Sequence, residues 1–183
     1  VSAQTTAALK STGGAANVSA EEISGLADSL SKLSGKDDEA IQSAENLLLT
    51  FTKVKNVAGE GNDIFNQATK TILDLSVAFG KDLNDSAILV GKALQDPVKG
   101  VTALRRVGVQ LSDQQTVAIK KFVEMGDTLS AQKIILDELN TQVGGSAEAY
   151  GKTLPGQIDK AKESFNNLAG GVVGILAPAL EGL

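Results

Sequence analysis

The sequence predicts an all-α fold, a compact multi-helix bundle or short helical array of about seven or eight helices. Three observations lead there. Aromatics make up 3% of the chain, tryptophan is absent and there are only three prolines, a composition that suits packed helices better than a β-sandwich. Apolar residues recur at spacings of three and four through most of the chain. The stripes open at capping residues and close at glycines, the start and stop signals of helices. At 183 residues the chain is long enough to bury a core without metals or disulfides.

Residues 1–17, rich in Ala and Thr with Gly13-Gly14, read as a linker or frayed lead-in segment with little fixed structure. A helical domain is expected over 18–156. Its first helix opens at a capping box, Ser19 to Glu22, and runs through Ile23, Leu26, Ala27, Leu30 and Leu33 to Gly35. The second starts at Asp37 or Asp38 and carries Ile41, Ala44, Leu48 and Phe51, with Ala40 and Leu47 widening the stripe. The third starts at Asn62 or Asp63, places Ile64, Ala68, Ile72, Leu75 and Phe79 on one face, and stops at Gly80. A fourth from Asn84 or Asp85 has Ala87, Ile88, Gly91 and Leu94 inward. Asp96 and Pro97, a capping residue and a first-turn proline, then open a short fifth helix to Val107 with Val98, Val101 and Leu104 inward. The second capping box, Ser112 to Gln115, opens a sixth with Ala118, Ile119, Phe122 and Met125. The seventh spans Ser130 to Gln142, with Ala131, Ile135 and Leu139 on one side and Leu136 and Val143 adjacent, before Gly144-Gly145 breaks the chain.

After a Leu154-Pro155-Gly156 turn, residues 157–183 read as a C-terminal helix. Ile158, Ala161, Phe165, Leu168, Val172, Ile175 and Ala179 alternate three and four apart, a heptad seam that predicts self-association. Gly170, Gly171 and Gly174 lower its intrinsic helicity by roughly 1 kcal/mol each relative to Ala. The sequence begins at Val1 and ends inside this apolar run, as expected of a fragment of a longer protein. One internal similarity stands out: Leu30 to Asp37 and Leu75 to Asp82 align at a shift of 45 residues, each a helix end, a Gly-Lys-Asp turn and a new helix.

Composition narrows the function. Cysteine and histidine are both absent, which removes thiolate and imidazole metal ligands and the commonest general base; no catalytic, cofactor-binding or metal-ligating residue is predicted. The net charge of −5 argues against nucleic-acid binding by the surface as a whole. Between Lys92 and Lys121 the balance inverts to +4, leaving −9 elsewhere. Lys92, Lys99, Arg105, Arg106, Lys120 and Lys121 are therefore candidate partner-binding residues, with plain solvated helix surface as the alternative.

Other constellations fail on spacing. Tyr150-Gly151-Lys152-Thr153 has the tail of a P-loop, but position 146 is Ser where the motif needs glycine. The acidic Asp37, Asp38 and Glu39 fit the first turn of a helix, where negative charge complements the dipole. The apolar run from Leu168 to Leu180 is shorter than the ~20 residues of a membrane span; membrane contact is expected only there.

The run Gly91-Lys-Ala-Leu-Gln-Asp-Pro97, followed by Leu104-Arg-Arg-Val-Gly-Val109, resembles a segment of the tail tape-measure proteins of long-tailed bacteriophages and prophages. Leu73 to Asp82, Gly126 to Leu136, Gly144 to Thr153 and Phe165-Asn-Asn-Leu168 look like family segments in the same order, covering about residues 60 to 170. The resemblance implies a structural, non-enzymatic role in setting tail length and in DNA delivery. It also implies a place in the tail lumen of the virion, after assembly in the host cytoplasm, with tail tube proteins, tail-tip proteins and tail assembly chaperones as partners. By the same analogy the C-terminal seam forms a trimer. A fully helical chain of this length would span about 270 Å, yet caps and glycines interrupt it, so the segment reads as a folded part of a ruler. The alternative is a bacterial helical adaptor or secreted helical-hairpin interaction protein.

Overall fold

The computed structural model describes the backbone of residues 2–180 and the side chains of residues 2–168. Ten α-helices occur among the described residues: α1 (Ser2–Ser11), α2 (Ala20–Ser34), α3 (Asp38–Leu49), α4 (Ile64–Phe79), α5 (Leu83–Gln95), α6 (Pro97–Arg106), α7 (Asp113–Glu124), α8 (Thr128–Val143), α9 (Ser146–Gly151) and α10 (Leu154–Leu180). The fold is all-α, with α1 to α9 packed as a compact bundle and no strand among the described residues. Asn56 and Asp63 make a single antiparallel bridge in the long α3–α4 connection.

Both capping boxes form as their sequences require. The Glu22 N–H donates to Ser19 Oγ at 3.1 Å while the Ser19 N–H donates to Glu22 Oε2 at 2.7 Å. Ser112 and Gln115 repeat the exchange at 2.7 and 3.1 Å. Gly35 and Gly80 end α2 and α4 in the left-handed conformation, at φ 77° and 61°, which costs a residue without Cβ little.

The eight helices expected are α2 to α8 and α10; two more are added. Residues 2–17 are not a loose linker: α1 is a helix, Thr5 is buried on it, and Ala16 is a core residue. The short α9 follows Gly145, and its first N–H groups are satisfied from a distance: Asp74 accepts from the Gly145 N–H at 3.2 Å and the Ala147 N–H at 2.9 Å. Two starts move. Asp82, not Asn84 or Asp85, caps α5, and α10 begins at Leu154, three residues before the expected boundary at 157. Pro155 lies in its first turn, where a missing N–H is harmless, and Thr153 Oγ1 accepts from the Gly156 N–H at 3.2 Å.

The bundle is organised around α4, which is buried on nearly all sides from Ile64 to Ser76 and packs against α3, α5, α8 and α9. Helices before and after Gly80 interleave in this way, so the bundle is not two subdomains meeting there. Four residues expected inward are exposed, Met125 most and Phe79, Ile88 and Val98 to about two fifths. The buried face of α5 instead runs through Ala87, Val90 and Leu94, and Ile88 lies about 200° round the helix from Val90.

The 45-residue similarity is realised in space and extends further. Asp37, Asp82 and Asp127 cap α3, α5 and α8 at intervals of 45 residues. The buried positions of the three helices keep the same register: Ile41, Ser86 and Ala131; Glu45, Val90 and Ile135; Leu49, Leu94 and Leu139.

Candidate functional site

Asp96 is the pivot of the basic stretch. Its N–H donates to Lys92 O at 3.1 Å to finish α5, while its carboxylate accepts from the Lys99 N–H at 3.4 Å to start α6. The Lys99 ammonium sits 3.1 Å from Asp96 Oδ2, and this hydrogen-bonded partner draws the Asp96 carboxyl below its ordinary range. Pro97 follows at the first helical position. Gly100 lets α6 lie on α5 almost backbone to backbone, since a Cβ there would stand 2.5 Å from Ala93 Cα.

A groove of about 320 Å³ lies beside the joint, lined by Phe51, Lys92, Gln95, Asp96, Lys99, Gly100 and Ala103, and a larger one of about 460 Å³ lies elsewhere in the bundle. The Phe51 ring forms an apolar wall, and Lys92 and Lys99 stand on the rim, the latter with 89% of its side chain exposed. An apolar slot with a cationic rim suits a partner that inserts an apolar side chain next to a carboxylate.

The other predicted basic residues are not equivalent to these two. Arg105 Nη2 donates to Leu111 O and to Thr116 Oγ1, both at 3.2 Å, and lies 3.9 Å from Asp113 Oδ1. It braces the joint between α6 and α7, so Arg105 is first a structural residue. Arg106 and Lys121 are exposed. Lys120 forms an exposed pair with Glu124 at 3.9 Å, an interaction worth little.

The C-terminal seam lies on a helix held at its base. Tyr150 Oη donates to Asp159 Oδ2 at 2.7 Å, a bond to the neutral phenol that raises the Tyr150 pKa. Gly35 and Gly151 let Lys160 of α10 approach the end of α2 closely. Beyond that anchor the seam is open: Ile158, Phe165 and Leu168 are 47%, 70% and 68% exposed, and Ala161 is exposed too. The side chains of Val172 and Ile175 lie outside the described residues. No helix among the described residues is long and apolar enough to cross a membrane.

The larger groove was not anticipated. The two Gly-Lys-Asp joints meet there, and Lys36, Ser43, Lys81 and Tyr150 help to line it; the repeat itself was the signal that could have found it. Lys36 Nζ stands 4.7 Å from the centre of the Tyr150 ring. Tyr150 to Thr153 closes α9 and opens α10 rather than wrapping a phosphate, and Lys152 pairs with Glu148 at 2.6 Å. Asp37 caps α3 by accepting from the Ala40 N–H at 2.7 Å. Glu163 of α10 approaches it, and partial burial, then Asp37 and Asp38, raise the Glu163 pKa. No group of three or more acidic side chains among the described residues is placed to hold a metal ion.

Compared with known proteins, the chain matches no family model, no curated protein and no solved structure.

Proposed function

We propose that the chain is a folded structural segment of a phage or prophage tail tape-measure protein, acting through protein–protein contacts and not through catalysis. One observation carries the reading. The run from Gly91 to Ser112, on which the resemblance chiefly rests, is also a closely packed joint of the bundle: Gly91 lies against the Phe51 ring, Gly100 against the Ala93 backbone, and Leu104, Val109 and Leu111 are buried. A sequence word that is specific because the fold needs it is a better family marker than one made of surface residues.

In this proposal the groove beside Lys92 and Lys99 receives tail tube, tail-tip or chaperone proteins, and the seam on α10 joins copies of the chain, three by family analogy. The setting is the tail lumen, after assembly in the host cytoplasm. The sequence contains neither His nor Cys, which leaves the commonest catalytic groups out of reach.

The test is direct. Purified tails from the source phage or induced prophage should contain this chain by mass spectrometry, and its gene should neighbour tail tube and chaperone genes. Tails lacking the chain overturn the proposal, and secretion genes as neighbours favour the adaptor reading. Reversing Lys92 and Lys99 to Glu should abolish capture of tail proteins while leaving the unfolding midpoint nearly unchanged. Normal capture by that variant makes the rim ordinary solvated surface.

A further inference from the structure

Two lysines occupy equivalent places in the fold. Lys36 follows Gly35 at the end of α2, and Lys81 follows Gly80 at the end of α4. Their backbones are both fixed: the Lys36 N–H donates to Ser34 Oγ at 3.1 Å and the Lys81 N–H to Ser76 O at 2.9 Å. A cation just past a helix complements the negative end of its dipole, which accounts for each lysine singly. It does not account for both lining one groove of about 460 Å³, built from α3, α4, α5 and α9 together with the two joints.

The charge in this groove is uncompensated. No carboxylate among the described residues stands within 4.0 Å of either ammonium. Asp82, the acidic residue of the lining, is engaged as a cap, its Oδ1 accepting from the Asn84 and Asp85 N–H groups at 2.8 and 3.4 Å. Lys36 is also held in place. Its Nζ stands 4.7 Å from the centre of the Tyr150 ring, and Tyr150 is fixed in turn by its bond to Asp159 of α10. A side chain already ordered loses less entropy when a ligand engages it. Ala40, Val77 and Leu83 give the groove apolar surface, and the last two pack on the cluster that contains Leu30, Ile41 and Leu73.

We propose that this groove binds an acidic segment of a partner protein, which sets carboxylates against Lys36 and Lys81 and an apolar side chain against Val77 and Leu83. Charge complementarity selects the occupant. Two unpaired ammoniums are matched by two carboxylates, and the apolar surface beside them is matched by side chains that an inorganic anion lacks. A nucleic acid is opposed by the net charge of −5. The site shares no residue with the groove beside Lys92 and Lys99 and does not depend on the tail reading.

Titration calorimetry of the full chain in low salt tests this, with a short blocked peptide of alternating Glu and Leu as the probe. The peptide should bind, and binding should weaken as salt is raised. Replacing both lysines, Lys36→Ala with Lys81→Ala, should weaken it by about tenfold or more, whereas Lys36→Arg with Lys81→Arg should retain it. Tyr150 is the only tyrosine of a chain without tryptophan, so its emission should change on binding and report the place. Absence of binding overturns the proposal. So does equal binding of the corresponding Lys and Leu peptide, which makes the groove an apolar slot, or of inorganic phosphate, which makes it an anion site only. Loss of binding in Lys92→Glu with Lys99→Glu but not in the Lys36 and Lys81 variant moves the peptide to the other groove. Dimers in light scattering that the Lys36 and Lys81 alanine variant dissolves make the occupant a second copy of the chain, and either of these last results also overturns the proposal.

Discussion

At the scale of single residues, the chain relies on a few buried polar groups to fasten parts that its apolar stripes alone leave loose. Asp74 lies in mid-helix at 3% exposure and holds the start of α9 through two backbone N–H groups. Gln132 does similar work, donating from Nε2 to Lys53 O and Leu94 O at 2.9 Å each and so tying α8 to the connection after α3 and to the end of α5. Asp74→Ala leaves the buried Ala147 N–H and the part-buried Gly145 N–H unanswered, at a cost of about 2 kcal/mol. Urea unfolding followed by circular dichroism should register that loss, and a variant as stable as the wild type would mean that water substitutes for the carboxylate.

At the scale of helices, α10 differs from the rest. The others bury a face within the bundle, whereas α10 is anchored by Tyr150, Gly151 and Lys160 and then presents Ile158, Phe165 and Leu168 to solvent. Two of these, Ile158 and Phe165, are one heptad apart, the spacing that keeps a seam facing a neighbour over several turns. Because the chain has no cysteine, Phe165→Cys introduces a single reporter. In assembled tails or a longer chain it should give disulfide-linked dimers on oxidation. Monomer alone, under conditions where the tube assembles, would eliminate self-association through this seam.

At the scale of the molecule, the titrating groups pull stability in opposite directions with pH. Hydrogen bonds hold Asp96 and Glu138 below their ordinary range; their contribution is present above the unfolded pKa and is lost as pH falls through the folded value. Glu45 is raised from 4.5 to about 9, so its contribution is complete below 4.5 and is lost as pH rises toward 9. The unfolding free energy from urea titration should therefore peak on the acid side of neutrality and decline above that peak by up to about 1.4 kcal/mol per pH unit. Glu45→Val should flatten the alkaline limb alone; a wild-type profile flat from pH 6 to pH 9 would refute the assignment.

How much of this was legible beforehand varied with the range of the interactions. The sequence by itself determined the helices whose ends carry their own chemistry: Ser19 with Glu22, Ser112 with Gln115, Asp96 with Pro97, Gly35 and Gly80. Caps act within about four residues, so they can be read locally. It also determined the repeated Gly-Lys-Asp joint, for the same reason. Tertiary structure alone decided that α1 is a helix, because its Ala- and Thr-rich sequence has too weak a stripe to hold without α2 and α3 beneath it. It decided α9, whose cap is supplied by Asp74 from 71 residues away. It separated Lys92 and Lys99, which share a groove, from Arg105, which braces a joint, although all three are basic residues in one short stretch. And it placed Glu45 in the core, at a position that periodicity alone assigns equally to a solvated flank, since which face of α3 is covered depends on the helix that folds over it.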